Sequence, residues 1–208
     1  MTERIPLAPL LAGEVGCTVA DLAHRIESGA VFICPTDTIY GIGGRADSAD
    51  VERRIRSVKE RRSPAPFILL AADRSRFEAL GLRFTGNAAL LANRFWPGPV
   101  TLVLPALAFS AGVGVRVSSH PFVTALDAKL GMPIFSTSAN LSDSPYVNDP
   151  DAIFSAFQTK VDFMVDAGVL PESRPSTVVR VNADDSLEIL REGAVAAERI
   201  FQTIRNPD

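Results

Sequence analysis

Short apolar runs alternate with amphipathic segments along most of this chain. Apolar runs bounded by Gly, Pro or Asp predict buried strands, and apolar residues spaced three or four apart predict helices with one face on a core. The predicted strands cover residues 30–34, 67–71, 100–104, 113–117, 133–135, 161–165, 177–181 and 187–190. The predicted helices cover residues 18–28, 48–60, 73–80, 85–95, 121–130, 149–158 and 194–204.

The order of these elements predicts the fold class. Helices and strands that alternate form α/β layers, so we expect a single twisted sheet flanked by helices. The last third of the chain is richer in strands, which favours a mixed sheet over a purely parallel one. No shift in composition marks a boundary, and residues 1–208 are therefore predicted to form one domain.

Composition narrows the class of protein without identifying a function. The 208 residues are 47% hydrophobic and 22% charged, as in ordinary globular proteins, and the net charge of -3 excludes a uniformly basic nucleic-acid binder. Cys17 and Cys34 form neither a CxxC pair nor a metal cluster, so a cytoplasmic location is expected. No signal-peptide pattern is visible, and the most apolar stretch, 100–115, is too short to span a bilayer.

The first candidate for chemistry is the segment PTDTIYGIGG at 35–44, which follows the apolar strand predicted at 30–34. It is predicted to be a loop. Its threonines and glycines suit a small anionic or zwitterionic ligand that approaches the backbone closely. The alternative is a plain strand-to-helix connection, in which the glycines serve the turn and Asp37 caps it.

Lys59 and Arg61 are the second candidate. Residues two apart on a helix point to nearly opposite sides, so the helix must end by Glu60 if both side chains serve one ligand. Arg grips phosphate with a planar fork and Lys adds a compact charge. The alternative is a solvated basic helix face, since several other arginines lie nearby.

Two further segments carry polar groups at strand ends. Arg116 closes the apolar run VGV, where a charge must either be paired or reach a ligand. The hydroxyl-rich stretch STSANLS follows the strand predicted at 133–135 and is expected to form a loop at its carboxyl end, where α/β sheets gather ligands. GxSxG is absent and His24 and His120 are the only histidines, which disfavours a hydrolytic triad.

Taken in order, these segments resemble the YrdC family of threonylcarbamoyl-AMP synthases. The resemblance covers about residues 18–194 and is carried by seven collinear motifs. They are PTDTIYG at 35–41, KER at 59–61, WPGPVT at 96–101, VGVR ending at 116, SANLS at 138–142, STV at 176–178 and LREG at 190–193.

The resemblance implies a YrdC-like fold with a large concave cavity. The implied reaction joins L-threonine, bicarbonate and ATP into L-threonylcarbamoyladenylate and releases pyrophosphate, so the enzyme would be a nucleotidyltransferase that supplies the N6-threonylcarbamoyl group of adenosine 37 in tRNA. Mg2+ is expected to accompany ATP. A transient partnership with a tRNA-modification transferase complex is also implied.

The resemblance also implies residue roles. Residues expected to bind ATP are Lys59, Arg61, Ser138, Asn140, Tyr146 and Arg191. Residues expected to bind threonine are Thr36, Arg116, Ser136 and Ser176. No side chain is expected to act as a nucleophile or general base, because holding two anions in line and offsetting the triphosphate charge suffices, with Lys59 and Arg61 the principal groups.

The sequence departs from the family pattern at Arg62, Ala65, Phe67, Leu70, Asp143 and Tyr146. These departures keep a second hypothesis open, a non-catalytic paralogue that binds double-stranded RNA or tRNA through the basic helix near Arg53. Residues 45–83 hold ten basic and six acidic side chains, a polarity that could orient the protein on a phosphate backbone. A third alternative, the carbamoyl-adenylate activity of hydrogenase-maturation proteins, usually belongs to a much longer chain with acylphosphatase and zinc-finger parts.

Overall fold

One ten-stranded sheet organises the computed structural model, which describes residues 1–61, 63, 65–106, 109–142 and 144–206. Its strands are β1 (Glu3–Pro6), β2 (Phe32–Cys34), β3 (Gly41–Arg45), β4 (Ile68–Ala71), β5 (Val100–Ala106), β6 (Phe109–Val117), β7 (Ile134–Ser138), β8 (Phe163–Asp166), β9 (Thr177–Val181) and β10 (Leu187–Arg191). The helices are α1 (Leu7–Ala12), α2 (Val19–Glu27), α3 (Ala49–Val58), α4 (Ser75–Glu78), α5 (Gly86–Phe95), α6 (Pro121–Leu130), α7 (Pro150–Phe157) and α8 (Ala197–Arg205).

The strand order is β1-β8-β2-β3-β7-β4-β6-β5-β9-β10. Parallel pairs such as β4–β6 and β5–β9 alternate with antiparallel pairs such as β3–β7 and β4–β7. The predicted α/β class with a mixed sheet is therefore confirmed. This order sets β3, β7, β4 and β6 side by side at the centre of the sheet, so segments far apart in sequence meet there.

Three apolar clusters cover the sheet. Helices α5 and α8 pack on β5, β6 and β9 through residues such as Leu91 and Ile200, which are fully buried. Helices α2 and α6 pack together on another part of the sheet, and α3 and α7 pack around Ile42 and Tyr40. At roughly 25 cal/mol per Å2 of apolar surface, this burial is the main stabilising term for the framework that holds the site.

Local signals placed most helix boundaries correctly. The hydroxyl of Thr18 accepts from the Asp21 amide and the Asp21 carboxylate accepts from the Thr18 amide, a reciprocal cap for α2. The Ser48 hydroxyl accepts from the Val51 amide at the start of α3, and the Asp149 carboxylate accepts from two amides at the start of α7. The start of α5 is different, because the Thr85 side chain makes no cap bond there and the distant Asp185 carboxylate accepts from the Asn87 amide at 2.9 Å.

Two predicted loops are strands instead. Gly41–Arg45 forms β3, which pairs with β2 on one side and β7 on the other. The glycines here have negative φ; they are needed because a Cβ on Gly44 would clash with Val51 of α3 and one on Gly43 would lie 2.8 Å from the Phe135 carbonyl. Strand β7 likewise continues through Ser136 to Ser138, so the serine-rich loop begins only after that residue.

Strand β1 and helix α1 were not predicted. Strand β1 is an edge strand parallel to β8, and Ile5 is its one buried side chain. Such a short strand with a single inward residue gives no period-two pattern to detect. Among the described residues, no helix is both long and apolar enough to cross a bilayer.

Candidate active site

A cleft of about 190 Å3 opens over the centre of the sheet. Seven parts of the chain line it: residues within 36–41, Arg61, residues 66–68, Arg116, the end of β7, residues within 175–178, and Arg191. Of the predicted site residues, the cleft brings together Thr36, Arg61, Arg116, Ser136, Ser138, Ser176 and Arg191. Lys59, Asn140 and Tyr146 are not among its lining residues.

The loop before β3 is shaped by one hydroxyl. Thr36 is 4% exposed, and its Oγ1 accepts from the amides of Thr38 and Ile39 and donates to the Ile39 carbonyl at 2.7 Å. This closes a tight turn through side-chain to backbone bonds. The turn sets Ile39, Tyr40 and Gly41 along the cleft wall, and it also aims Asp37 at Arg116.

Arg116 is paired with a carboxylate and also lines the cleft, so the pairing is observed and contact with a ligand stays a prediction. Its Nη1 donates to Asp37 Oδ1 at 2.8 Å, its Nη2 lies 3.4 Å from Thr36 Oγ1, and its Nε has no partner among the described residues. The side chain is only 3% exposed. Burial lowers the pKa of Arg116, and the neighbouring Asp37 opposes that shift.

Helix α3 ends as the functional interpretation of Lys59 and Arg61 requires. Lys59 is its C-cap and Glu60 has φ of 55°, the left-handed conformation that stops a helix. The Arg61 amide then donates back to the Arg56 carbonyl at 2.9 Å. After this turn Arg61 lies over the ring of Phe67, 4.9 Å from its centroid, and lines the cleft.

Lys59 lies behind the cleft wall. Its Nζ donates to the carbonyls of Ser138 and Asn140, both at 2.6 Å, and the side chain is almost completely buried. The Ser142 amide donates in return to the Lys59 carbonyl at 3.0 Å. Burial, followed by the charge of Arg61, lowers the pKa of Lys59 to about 8. Lys59 therefore holds the 138–142 segment, and its role toward a triphosphate stays a prediction.

Asn140 and Tyr146 also brace this region. The Asn140 Nδ2 donates to the carbonyls of Leu141 and Ser144, at 3.0 and 2.6 Å. The Tyr146 hydroxyl accepts from the Tyr40 amide at 3.0 Å. Both side chains thus satisfy backbone groups next to the cleft, and their expected contacts with a nucleotide remain predictions.

The far wall comes from β9 and β10. Ser176 is 5% exposed, and its Oγ lies 2.8 Å from the hydroxyl of Thr101. The Arg191 Nη2 donates to the Ser176 carbonyl at 2.9 Å. Gly193 permits this crossing, since a Cβ there would lie 2.0 Å from the Pro175 carbonyl.

Positive charge dominates the cleft. Burial is the main cause that lowers the pKa of Arg61 and of Arg191, with further contributions from Arg56 and Arg116 respectively. A guanidinium group whose pKa falls through burial and like charge is stabilised by an anion nearby. Because two such groups and the paired Arg116 line one concavity, the arrangement suits a ligand with several negative charges.

Asp37 and Ser118 were not predicted as a functional pair. The Asp37 Oδ1 accepts from both Arg116 and the Ser118 hydroxyl, while its Oδ2 is buried and has no partner in the part of the chain that the structure describes. The sequence indicates that an arginine buried in an apolar strand needs a partner. It does not indicate that the partner is Asp37.

The departures from the family pattern are only partly at the cleft. Leu70 is 1% exposed and packs in the apolar core, and Ala65 is exposed; neither lines the cleft. Phe67 does line it and carries Arg61 on its ring. Arg62 and Asp143 lie outside the described residues. His24 is largely exposed, and Trp96 packs against Phe77 and Phe84.

Comparison with known proteins places these features in a family. The profile of the Sua5/YciO/YrdC family, described as "Telomere recombination", matches residues 24–193. The "Threonylcarbamoyl-AMP synthase" of Bacillus subtilis is 35% identical over 89% of this chain and 56% of its own length. The "Putative threonylcarbamoyl-AMP synthase" of Methanocaldococcus jannaschii is 28% identical over 86% of this chain and 87% of its own length.

A solved structure agrees with the sequence comparisons. Sua5 from Pyrococcus abyssi, crystallised as a complex with L-threonine, superposes with a TM-score of 0.83 at 27% identity and covers 98% of this chain. This chain spans only 61% of that protein and about half the length of the Bacillus subtilis relative. Because the family profile matches well over half of its residues, the chain belongs to the Sua5/YciO/YrdC family.

Proposed function

We propose that the chain catalyses the ATP-dependent formation of L-threonylcarbamoyladenylate from L-threonine and bicarbonate or CO2, with release of pyrophosphate. The observation that carries this proposal is the convergence of Arg61, Arg116 and Arg191 with several hydroxyls on one cleft. The names of the Bacillus subtilis and Methanocaldococcus jannaschii relatives support it. In this reaction class the protein would be a nucleotidyltransferase.

The amino-acid end of the cleft is assigned to Thr36, Arg116, Ser136 and Ser176. Arg116 would hold the carboxylate of L-threonine, since it retains donors that Asp37 does not use. The buried hydroxyls of Ser136 and Ser176 line the same region. The complex of Pyrococcus abyssi Sua5 with L-threonine supports an amino-acid site in this fold.

The nucleotide end is assigned to Arg61, Ser138 and Arg191, with Lys59 behind them. Arg61 and Arg191 have no carboxylate partner within the described part of the chain, so their charge is available to a triphosphate. Lys59 and Asn140 would act chiefly by fixing the end of β7 and the loop after it, and Tyr146 by holding the Tyr40 amide. Direct contacts of these three side chains with ATP are also proposed, and mutagenesis can distinguish them from the supporting role.

The proposed chemistry needs no protein nucleophile. The free amine of L-threonine attacks CO2, loses a proton and becomes a carbamate. A carbamate oxygen then bonds to the α-phosphorus of ATP as the bond to the bridging oxygen breaks, and pyrophosphate leaves. The arginines hold both anions in line and offset the charge that develops on the leaving group.

Mg2+ is proposed to enter with ATP and to screen its phosphates. Among the described residues, no group of three or more His, Cys, Asp or Glu side chains is arranged to hold a metal ion. The cleft wall instead presents hydroxyls and arginines, which suit a metal that is already bound to the triphosphate.

The product would supply threonylcarbamoylation of adenosine 37 in tRNA through a separate transferase. The alternative of an RNA-binding paralogue without synthase activity is not favoured, given the names of the relatives. The basic helix that suggested it is also largely neutralised: Arg53 pairs with Asp50, Arg54 with Asp162 and Arg56 with Glu52.

Pyrophosphate release from ATP tests the proposal. We expect release that requires both L-threonine and bicarbonate, and a substantial loss in Arg61→Ala. Arg94→Ala, on the outward side of α5, is the matched control and should leave the rate unchanged. Release that ignores L-threonine, or none at all from folded protein with Mg2+ present, would contradict the proposal.

A further inference from the structure

The three arginines of the cleft are not equivalent. Arg116 is paired with the carboxylate of Asp37 at 2.8 Å. Arg61 instead lies over the Phe67 ring, and Arg191 donates to the Ser176 backbone carbonyl; neither has a carboxylate partner in the described part of the chain. One cleft therefore holds one arginine that is paired with a carboxylate and two that have no carboxylate partner among the described residues.

The pair is rigid and buried. Asp37 is 10% exposed and Arg116 3% exposed, measured on the side chains. The Ser118 hydroxyl donates to the same Asp37 oxygen that Arg116 uses, and the Thr36 turn fixes the backbone before Asp37. A charge held in such surroundings acts on its neighbours far more strongly than a solvated one.

The size of the effect of Asp37 depends on the charge of the ligand. Arg116 lies close enough to Arg191 to lower the pKa of that guanidinium, so both cations act on the same region. Asp37 cancels the formal charge of Arg116, so the pair has a net charge of zero, and a carboxylate binds it through the Arg116 donors that Asp37 does not use. A phosphate group carries about two negative charges, so Asp37 repels it about twice as strongly as it repels a carboxylate.

We infer that Asp37 determines anion specificity within the cleft: it reserves Arg116 for the singly charged carboxylate of the amino-acid substrate and keeps the nucleotide's phosphates from binding there. This inference rests on the proposed function, which requires both anions in one cleft. Its consequence is that ATP and pyrophosphate bind only at the end near Arg61, which leaves the amino-acid end open.

Inhibition by inorganic pyrophosphate tests the inference. In the unmodified protein we expect pyrophosphate to compete with ATP and not with L-threonine. In Asp37→Asn, which keeps the shape and removes the charge, pyrophosphate should also compete with L-threonine, with an inhibition constant at least tenfold lower. Asp127→Asn is the matched control, because Asp127 is likewise buried, paired with an arginine (Arg76) and left with one oxygen unbonded, but lies away from the cleft.

The outcomes separate the two claims. An unmodified protein without threonine-dependent turnover would refute the proposed function. If the unmodified protein shows threonine-dependent turnover and pyrophosphate still competes only with ATP in Asp37→Asn, the proposed role of Asp37 is overturned and the proposed function is not. If Asp37→Asn does not fold, calorimetry on the unmodified protein decides. The probe is the aminophosphonate analogue of L-threonine, whose phosphonate group is doubly charged near pH 8. It should bind at least tenfold more weakly than L-threonine, and equal affinity would overturn the inference.

Discussion

The side chain of Lys59 holds the backbone of Asn140: its Nζ donates to the Asn140 carbonyl at 2.6 Å and lies 3.5 Å from the Asn140 Oδ1. The same ammonium group bonds the Ser138 carbonyl, and the Ser142 amide returns a bond to the Lys59 carbonyl. The end of α3 and the loop after β7 are thus fastened together by one residue. Any change at Lys59 should therefore move Ser138, which faces the cleft.

Lys59→Met tests this link. The substitution keeps most of the aliphatic stem and removes the ammonium group, so two buried carbonyls lose a charged donor at a cost of about 1–3 kcal/mol each. We expect a lower free energy of unfolding and ATP binding weakened by about tenfold or more. Urea unfolding and calorimetry measure the two effects. Unchanged affinity with lowered stability would limit Lys59 to a structural role.

Titration of Lys59 gives a second prediction. Its pKa is lowered to about 8 from the ordinary 10.5. Below pH 8 the amine is charged in both the folded and the unfolded chain; between about pH 8 and 10.5 it is neutral only in the folded chain, which then binds fewer protons. The contribution of Lys59 to the free energy of unfolding therefore rises with pH across this window.

ATP binding should respond in the opposite direction, because the cation beside the loop is lost. We expect affinity for ATP to fall between pH 7 and 9 with a midpoint near 8, and this step to be absent in Lys59→Met. Calorimetry at several pH values in buffers of equal ionic strength measures it. An identical pH profile in the two proteins would show that another group titrates.

Glu60 offers a test of how the backbone directs charge. It has φ of 55°, a left-handed conformation that costs a non-glycine residue about 1 kcal/mol. Glu60→Gly should leave stability unchanged or raise it by up to about 1 kcal/mol, whereas Glu60→Val should lower it by about 1–2 kcal/mol and weaken ATP binding. The valine strains the turn that sends Lys59 and Arg61 in different directions.

Both Glu60 variants also lose an exposed ion pair with Lys160, at 3.2 Å. Lys160→Met removes that pair and leaves the turn intact, and should change stability by no more than about 1 kcal/mol. Thermal unfolding of the three variants separates the contribution of backbone strain at Glu60 from that of the ion pair with Lys160. If the glycine variant were as destabilised as the valine variant, backbone strain at this position would not be the cause.

The sequence predicted the parts of this site that depend on neighbours along the chain. The end of α3 by Glu60 and the cap at Thr18 follow from local signals, and both are as expected. The pairing of Asp37 with Arg116 joins residues 79 positions apart, and only the strand order shows it. The loop predicted from the glycines of β3 was wrong for a related reason. Glycine is needed there because a Cβ would clash with Val51 and Phe135, which are distant in sequence.

Arg116 should control the amino-acid requirement of the reaction. Arg116→Gln removes the guanidinium and leaves Asp37 buried without its cation, a change that costs about 3–5 kcal/mol in a buried pair. The double variant Arg116→Gln with Asp37→Asn removes both charges and should recover much of that stability. In the double variant we expect KM for L-threonine to rise at least tenfold and KM for ATP to stay within about threefold.

Steady-state kinetics on the double variant and on Arg76→Gln with Asp127→Asn measure this. The second pair joins a buried aspartate to a partly exposed arginine, and it lies outside the cleft, so both KM values should be unaffected. A rise in KM for ATP equal to that for L-threonine would place Arg116 at the nucleotide instead.

Variants of Tyr146 can distinguish support of the Tyr40 backbone from contact with the nucleotide, because the ring and the hydroxyl can be removed separately. The hydroxyl accepts from the Tyr40 amide at 3.0 Å, and Tyr40 is fully buried. Tyr146→Phe leaves that amide without its partner and should lower the free energy of unfolding by about 1–3 kcal/mol, with ATP affinity within threefold of normal. Tyr146→Ala also removes the ring. If the ring stacks on the nucleotide, only the alanine variant should lose ATP affinity, by about fivefold or more. Equal ATP affinity in the two variants, measured by calorimetry, would instead assign Tyr146 wholly to the support of Tyr40 and the adjoining strand.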